Sequence, residues 1–109
     1  MTVAEFQKLI RDIYYDKDSR RGSDGTFRWL VEETGELARA VRRQDRANLE
    51  EEFADVFAWL ASLASLQGVD LEVAIGKYAR GCPKCHSTPC RCVEPQPATP
   101  GCAKGGNQA

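Results

Sequence analysis

The sequence of 109 residues lacks the features of a membrane-spanning or strongly basic protein. It has no apolar stretch of about 20 residues, the length that a helix needs to cross a bilayer. Its 15 basic and 16 acidic residues give a formal net charge of -1, so no excess positive charge attracts nucleic acid or an anionic membrane surface. The N-terminus also lacks the basic and apolar regions of a secretory signal peptide. We therefore expect a cytoplasmic protein with neither a membrane nor a nucleic-acid partner.

Histidine and cysteine are absent from the first 81 residues. The single histidine, His86, and all five cysteines come later in the chain. The length suffices for one small domain. We therefore predict a helical domain over residues 1–81, a cysteine-rich segment over 82–92 and a disordered tail over 93–109. The tail is rich in proline and glycine and has almost nothing apolar to bury.

Apolar residues at helical spacing predict an all-α fold with four helices. Thr2 and Glu5 form the pattern of a capping box at the start of the first helix, which we expect to run to about residue 19. A turn over residues 22–25 then precedes a second helix over about 25–43.

The third helix carries the evidence for oligomerisation. It is predicted to begin after Asp45 or Asn48 and to end before Gly68, and a short fourth helix follows over about 71–80. The third helix is apolar around most of its circumference, which is typical of a helix buried on more than one side. Because three neighbouring helices cannot cover it, we predict a homodimer, or a dimer of dimers, formed as a helical bundle.

Two acidic pairs are the main candidates for a functional site. Glu33 and Glu36 lie three residues apart, as do Glu52 and Asp55. On a helix this spacing brings the two Cβ atoms of a pair to about 5–6 Å. Both pairs border apolar stripes, which argues against the alternative that they are solvated helix charges.

A short polar connection separates the two pairs, so their helices are predicted to be antiparallel neighbours. Four converging carboxylates repel one another unless a cation lies between them. Oxygen ligands of this kind suit Mg²⁺ or Mn²⁺. A di-iron site is the main competing interpretation, but it requires Glu-x-x-His on helices, and His86 lies in the cysteine segment.

The sequence Glu33-x-x-Glu36 followed by Glu52-x-x-Asp55 resembles the signature of the MazG-like, all-α nucleoside triphosphate pyrophosphohydrolases. The similarity covers about residues 1–80. The resemblance implies Mg²⁺-dependent hydrolysis of a nucleoside triphosphate (NTP or dNTP) to the monophosphate and pyrophosphate. It also implies that these four acids are the Mg²⁺ ligands.

Five further residues are candidates beside the acidic pairs. Glu32 can orient the attacking water, or it is a surface charge. Lys77 can contact a phosphate as a point charge, or it is an ordinary surface lysine. Arg21, with Arg20, can serve the same purpose or interact with the end of the first helix. Trp29 lies one turn before Glu33 and can stack on a base, although a tryptophan at helical spacing also suits a core.

Four cysteines within eleven residues predict a structural zinc site. These ligands are Cys82, Cys85, Cys90 and Cys92. The alternatives are disulfides, a labile redox tail or an iron–sulfur cluster, and His86 can replace one cysteine. Four thiolates leave no open position on zinc, so the site would be structural rather than catalytic. We expect Cys102, in the tail, to be a free thiol.

Two other functions compete with hydrolysis of a nucleotide. In the first, the acidic site binds Mg²⁺–nucleotide without turnover and the zinc segment docks a partner protein. In the second, the zinc segment binds nucleic acid. Residues 82–92 carry only Lys84 and Arg91 as fixed charges and no aromatic ring for base stacking, which disfavours the second.

Overall fold

The computed structural model describes residues 1–94, and this part of the chain is helical with no β-strand. Helix α1 spans Val3–Arg43, α2 spans Arg46–Leu66 and α3 spans Leu71–Ile75, followed by a 3₁₀ helix over Gly76–Tyr78. The predicted all-α class is confirmed. The predicted number of helices is wrong, because the structure has three α-helices where we expected four.

The chain forms two compact units, Met1–Gly76 and a second unit that begins at Lys77. The first contains the three α-helices. The second contains the cysteine-rich segment, and residues 93 and 94 at the end of its described part have no regular structure. Residues 95–109, which include Cys102 and most of the predicted disordered tail, lie outside the described residues.

Helix α1 replaces the first two predicted helices. Its start matches the prediction, because Thr2 Oγ1 accepts a hydrogen bond from the backbone N–H of Glu5 and the Glu5 carboxylate accepts one from the N–H of Thr2. The four-residue turn is wrong, because only Gly22 inside it departs from helical angles, with φ 84° and ψ 172°. Only glycine reaches this region without strain, so one residue is enough to bend the helix.

The side chain of Arg21 bridges the bend in α1. Its guanidinium donates to Asp18 Oδ1 on one side of Gly22 and to Thr26 Oγ1 on the other, both at 3.0 Å. Asp18 is 3% exposed and Thr26 is fully buried. The buried carboxylate therefore has a charged partner, and the two parts of α1 are held together by one arginine.

A two-residue connection makes the second part of α1 and helix α2 neighbours. Gln44 ends α1 in the left-handed region, with its N–H donating to the carbonyl of Ala40 at 2.9 Å. Asp45 then caps α2, which confirms one of the two predicted starts of this helix. Ala40 and Leu49 are buried beside this connection. The hairpin therefore fixes which residues of α1 and α2 face each other.

Helix α2 also packs against the part of α1 that precedes the bend. The rings of Phe6 and Phe57 are stacked with their centroids 4.8 Å apart. The backbone N–H of Leu71 and Ala4 donate to Gln7 and Glu72 respectively, which ties the start of α1 to α3. Helix α2 therefore contacts α1 on both sides of the bend, through Phe57 before it and Trp59 after it.

The predicted fourth helix is shorter than expected. Asp70 caps it by accepting from the N–H of Val73, but the α-helix ends at Ile75. A 3₁₀ turn over Gly76–Tyr78 replaces the rest of the expected 71–80 helix. The C-cap of the α-helix is Gly76, and glycine has a low helix propensity.

Among residues 1–94, no single helix has both the length and the apolar character that a membrane span needs. Helix α2 and the segment Leu71–Tyr78 meet these criteria only as a bent pair, by length and composition.

We expect Gly22→Ala to lower the free energy of unfolding by about 1–3 kcal/mol, because alanine is strained at these backbone angles. Gly35→Ala is the matched control. A Cβ atom at either glycine meets no atom within 4 Å in the described structure, so the two sites differ in backbone conformation alone. Gly35 is helical, and alanine there should stabilise the protein by about 1 kcal/mol. Urea unfolding measures both, and equal effects of the two substitutions would contradict the bend at Gly22.

Candidate metal-dependent active site

Three of the four predicted acidic residues converge where α1 and α2 face each other. One carboxylate oxygen each from Glu33, Glu52 and Asp55 lies within 4.8 Å of the other two. Glu33 comes from the second part of α1, whereas Glu52 and Asp55 are one turn apart on α2. The hairpin connection brings them together.

Glu36 lies beside this cluster rather than in it. Its Oε1 accepts a hydrogen bond from the Arg39 guanidinium at 3.3 Å, and the side chain is 40% exposed. Its charge nevertheless acts on Glu33. A rotation of the Glu36 side chain away from Arg39 would be needed for it to share a cation with the other three.

The cluster is electrostatically unfavourable without a cation. Burial raises the pKa of Glu33 above 4.5, and the charges of Asp55, Glu52 and Glu36 raise it further. Glu52 Oε1 is buried and has no hydrogen-bond partner among residues 1–94, while its other oxygen accepts from the Asn48 amide at 3.4 Å. A buried carboxylate oxygen without a partner lowers the stability of the folded protein. A positively charged ligand at this oxygen would restore that stability.

The donor set fits a small divalent cation. Octahedral Mg²⁺ with bonds of about 2.1 Å places opposite ligand oxygens about 4.2 Å apart. Adjacent ligand oxygens of such an ion lie about 3.0 Å apart. The three carboxylate oxygens, which lie within 4.8 Å of one another, would therefore move closer together by side-chain rotation to bind one cation. Glu33, Glu52 and Asp55 therefore suit a hard cation with oxygen ligands, and water or phosphate oxygens would complete its coordination.

A cavity of about 290 Å³ adjoins the acidic cluster through Asp55. Its lining combines cationic, aromatic and small side chains: Tyr14, Lys17, Asp18, Arg21, Asp55, Ala58, Trp59 and Ser62. The Arg21 guanidinium lies 4.8 Å from the centroid of the Trp59 ring. A second cavity, of about 320 Å³, lies between the start of α1 and the end of α2 and contains none of the candidate site residues.

The side chains of Arg21 and Trp29 both contact the ring of Trp59. The Trp29 and Trp59 rings are stacked with centroids 5.8 Å apart, and Trp29 is 45% exposed. Arg21 lines the cavity but already binds Asp18 and Thr26. The predicted role of Arg21 in phosphate binding therefore competes with its structural role at the bend.

Two other predicted residues are not members of the carboxylate cluster. Glu32 is exposed and is not one of its members. Lys77 belongs to the second unit, where its Nζ lies 5.2 Å from the centroid of the Tyr78 ring. The roles we predicted for Glu32 and Lys77 remain predictions.

Sequence reasoning missed most of the cavity. Tyr14, Lys17, Asp18 and Trp59 line it, yet none was a candidate site residue. A signal was present for Trp59, which lies one helical turn after Asp55 and on the same face of α2. No comparable signal existed for the other three, because their position depends on how α1 bends at Gly22.

The four predicted cysteine ligands also converge. Their sulfur atoms lie within 4.8 Å of one another, with Cys82 and Cys92 3.8 Å apart and Cys85 and Cys90 3.9 Å apart. All four are free thiols. His86 has φ 59° at the turn between the two halves of this loop, and its backbone N–H donates to the carbonyl of Cys82. The loop therefore presents four sulfur atoms to one point.

Backbone N–H groups distinguish the sulfur atoms. The N–H of Arg91 donates to Cys85 Sγ at 3.3 Å and is the largest cause that lowers the pKa of Cys85 to about 6. The N–H of Cys92 donates to Cys90 Sγ at 3.3 Å. Contacts with the other three sulfur atoms, that of Cys90 first, raise the pKa of Cys92 to about 12. The pKa values of Cys85 and Cys92 are therefore shifted in opposite directions within the same loop.

The fold and the site define an all-helical domain with a carboxylate cluster that suits a divalent cation. The sequence model of the MazG nucleotide pyrophosphohydrolase domain matches residues 21–86, which is more than half of the chain. The chain therefore belongs to the MazG nucleotide pyrophosphohydrolase family. No curated protein matches it. Membership indicates nucleotide pyrophosphohydrolase activity at the family level and a nucleotide substrate, in a family that is typically metal-dependent.

We expect Glu33→Gln to raise the melting temperature of the metal-free protein at neutral pH, because it removes one charge from the repelling cluster. The folded protein holds the Glu33 proton more tightly than the unfolded chain does, so the wild type gains stability as pH falls towards 4.5. The advantage of the variant should therefore shrink on acidification. Mg²⁺ should raise the melting temperature of the wild type and do so much less for the variant.

Glu51→Gln is the matched control, since Glu51 is exposed and next to Glu52 but outside the cluster. Thermal unfolding by circular dichroism, with and without Mg²⁺, measures these shifts. An equal response of the two variants to Mg²⁺ would show that Glu33 does not bind the cation.

Proposed function

We propose that the protein hydrolyses a nucleoside triphosphate, NTP or dNTP, to the monophosphate and pyrophosphate with Mg²⁺ as the cofactor. The observation that carries the proposal is the convergence of Glu33, Glu52 and Asp55, with a buried oxygen of Glu52 left without a partner, in a chain of the MazG family. Mn²⁺ satisfies the same oxygen ligands and is expected to substitute for Mg²⁺.

Three of the four acids already lie close together and bind the cation, and the fourth binds it after its side chain moves. Glu33, Glu52 and Asp55 form the platform, and Glu36 joins it by exchanging its contact with Arg39 for the cation. When bound, Mg²⁺ supplies positive charge to phosphate oxygens and acidifies water. The carboxylates orient the phosphate chain by fixing where that charge lies. Glu32, on the exposed side of the same turn, is proposed to accept a hydrogen bond from the attacking water.

The neighbouring cavity gives the nucleotide a place beside the platform. Asp55 belongs both to the carboxylate cluster and to the cavity wall, so a ligand in the cavity lies next to the cation. Lys17 supplies a positive charge in the lining, and the Trp59 ring supplies a surface for stacking. We propose that Arg21 and Trp29 hold the Trp59 ring in position to stack on the nucleotide. We also propose that Lys77 contacts a phosphate.

We propose that two copies of the chain pair through the uncovered apolar surface of α2. Phe53 is 58% exposed, and Phe57 and Leu60 are each 40% exposed. Large apolar side chains on one helix face are typical of an interface, because burying them in a second copy removes that area from water. Sedimentation equilibrium distinguishes a dimer or a dimer of dimers from a monomer of 12.1 kDa. A monomer would overturn this proposal.

We propose zinc as the cation of the four-cysteine loop. Tetrahedral zinc with Zn–S bonds of about 2.3 Å places its sulfur atoms about 3.8 Å apart. The sulfur atoms of Cys82 and Cys92, and of Cys85 and Cys90, lie 3.8 and 3.9 Å apart. Backbone N–H groups that face Cys85 and Cys90 are favourable to thiolates. With four protein ligands the site is closed, so the zinc is structural.

The purified protein should release pyrophosphate from at least one member of a panel of NTPs and dNTPs, and only when Mg²⁺ or Mn²⁺ is present. Glu36→Gln and Asp55→Asn should each lower kcat/KM at least about a hundredfold, because each removes a ligand charge from the cation site. Glu51→Gln, outside the cluster, should leave the rate near that of the wild type.

An undiminished rate in Glu36→Gln and Asp55→Asn would overturn the proposed site. Nucleotide binding by calorimetry without any pyrophosphate release would instead indicate a nucleotide-sensing or protein-docking module. The two readouts therefore separate an enzyme from a protein that binds its nucleotide without turnover.

Protein purified under reducing conditions should contain about one zinc ion per chain, as measured by plasma emission spectrometry. Cys85→Ser should lower this content sharply, because it removes a thiolate from a closed site. Cys102→Ser, outside the predicted ligand set, should leave it unchanged. Iron with a visible absorption band, or a metal content far below one per chain, would contradict zinc.

A further inference from the structure

We infer that the four-cysteine loop contains a modification site, the pair of Cys92 and Cys82. Cys92 is the thiolate that reacts first with a peroxide or an alkylating electrophile, and Cys82 then closes a disulfide with it. The inference rests on the proposed zinc site and adds to it a way in which the metal is released.

Hydrogen bonding singles out Cys92. Within the described residues, backbone N–H groups donate to Cys85 and Cys90 at 3.3 Å each and also face Cys82. Among residues 1–94, no backbone N–H donates to the sulfur of Cys92. A hydrogen bond to a thiolate withdraws negative charge from sulfur and makes it a weaker nucleophile. Cys92 therefore keeps the most electron density of the four.

Exposure and distance complete the assignment. Cys92 is exposed, whereas Cys82 and Cys85 are half-buried. Cys90 is exposed as well, but it accepts the N–H of Cys92. The sulfur of Cys82 lies 3.8 Å from that of Cys92, close enough for a second step. A reagent from solvent thus meets Cys92 first, and Cys82 is in place to resolve the product.

The reaction with hydrogen peroxide balances in two steps. The Cys92 thiolate attacks one peroxide oxygen, the O–O bond breaks, and hydroxide leaves as the sulfenic acid forms. The Cys82 thiolate then attacks the Cys92 sulfur, the S–S bond forms and a second hydroxide leaves. Two thiolates have lost two electrons to the peroxide. Zinc, left with two thiolates of four, is released.

The first experiment measures the order of reaction in the full chain with zinc bound. The Cys102→Ser background removes the predicted free thiol of the tail. A limiting amount of N-ethylmaleimide is added, and the labelled positions are read by peptide mass spectrometry. We expect Cys92 to be labelled at least about fivefold faster than Cys82, Cys85 or Cys90, the size of effect that one hydrogen bond accounts for.

The second experiment follows zinc release by hydrogen peroxide with a chelating dye. Cys92→His and Cys90→His are a matched pair, since each leaves three cysteines and one histidine, a set that still binds zinc. We expect Cys92→His to release zinc at least about fivefold more slowly than the wild type, and Cys90→His to release it at a similar rate to the wild type. Disulfide mapping of the oxidised wild type should give Cys82–Cys92.

Three outcomes would overturn the inference: equal labelling of all four cysteines, slower release in Cys90→His than in Cys92→His, or a disulfide between Cys85 and Cys90. If either histidine variant fails to bind zinc, the labelling order decides alone. If the wild type itself contains no zinc, the zinc proposal fails and this inference is overturned with it. Zinc bound to the wild type with equal labelling of the four cysteines would overturn this inference alone.

Discussion

Mutual repulsion among Glu33, Glu52 and Asp55 is the constraint on which the first unit depends. The helices on either side of the Gln44–Asp45 connection cannot pack closely without bringing these carboxylates within 4.8 Å of one another. Packing and charge therefore oppose each other at this point. A domain that retains this conflict loses stability when it is empty and recovers it when a cation binds. The conflict ties the fold to a ligand.

The bend in α1 gives the site its second component. A straight helix of 41 residues would extend past α2, but the break at Gly22 lets α2 contact both parts of α1. Arg21 stabilises the bend through Asp18 and reaches Trp59 on α2. The cavity beside Asp55 exists because these contacts hold the two parts of α1 at an angle. The shape of the cavity and the backbone geometry of α1 are thus coupled through one arginine.

The two cation sites use opposite solutions to the same electrostatic problem. The acidic site leaves an oxygen of Glu52 without a partner and keeps coordination positions for water or phosphate, as a catalytic site requires. The cysteine loop directs backbone N–H groups at its sulfur atoms and supplies four ligands, which closes the coordination sphere. The difference follows from the ligand atoms, since carboxylates suit a hard cation and thiolates suit zinc.

Local sequence patterns predicted what local chemistry controls. The capping residues Thr2, Asp45 and Asp70 start helices where expected, and the spacing of the acidic residues and cysteines predicted both clusters of ligands. These features depend on residues a few positions apart, so periodicity is enough to find them. The same reasoning misread Gly22, because a glycine signals either a turn between two helices or a bend within one, and only packing against α2 selects the bend.

Tertiary structure alone decided which side chains complete the site. Glu36 follows the same i,i+3 rule as its neighbours, yet the packing of α1 on α2 brings only Glu33, Glu52 and Asp55 together. Lys17 and Trp59 are far apart in sequence and meet only because α1 bends and α2 folds back. The sequence determined the helix starts, the acidic pairs and the four thiols, since each is encoded within a few turns of chain. The cavity and its charges came from long-range packing, which spacing along the chain does not encode.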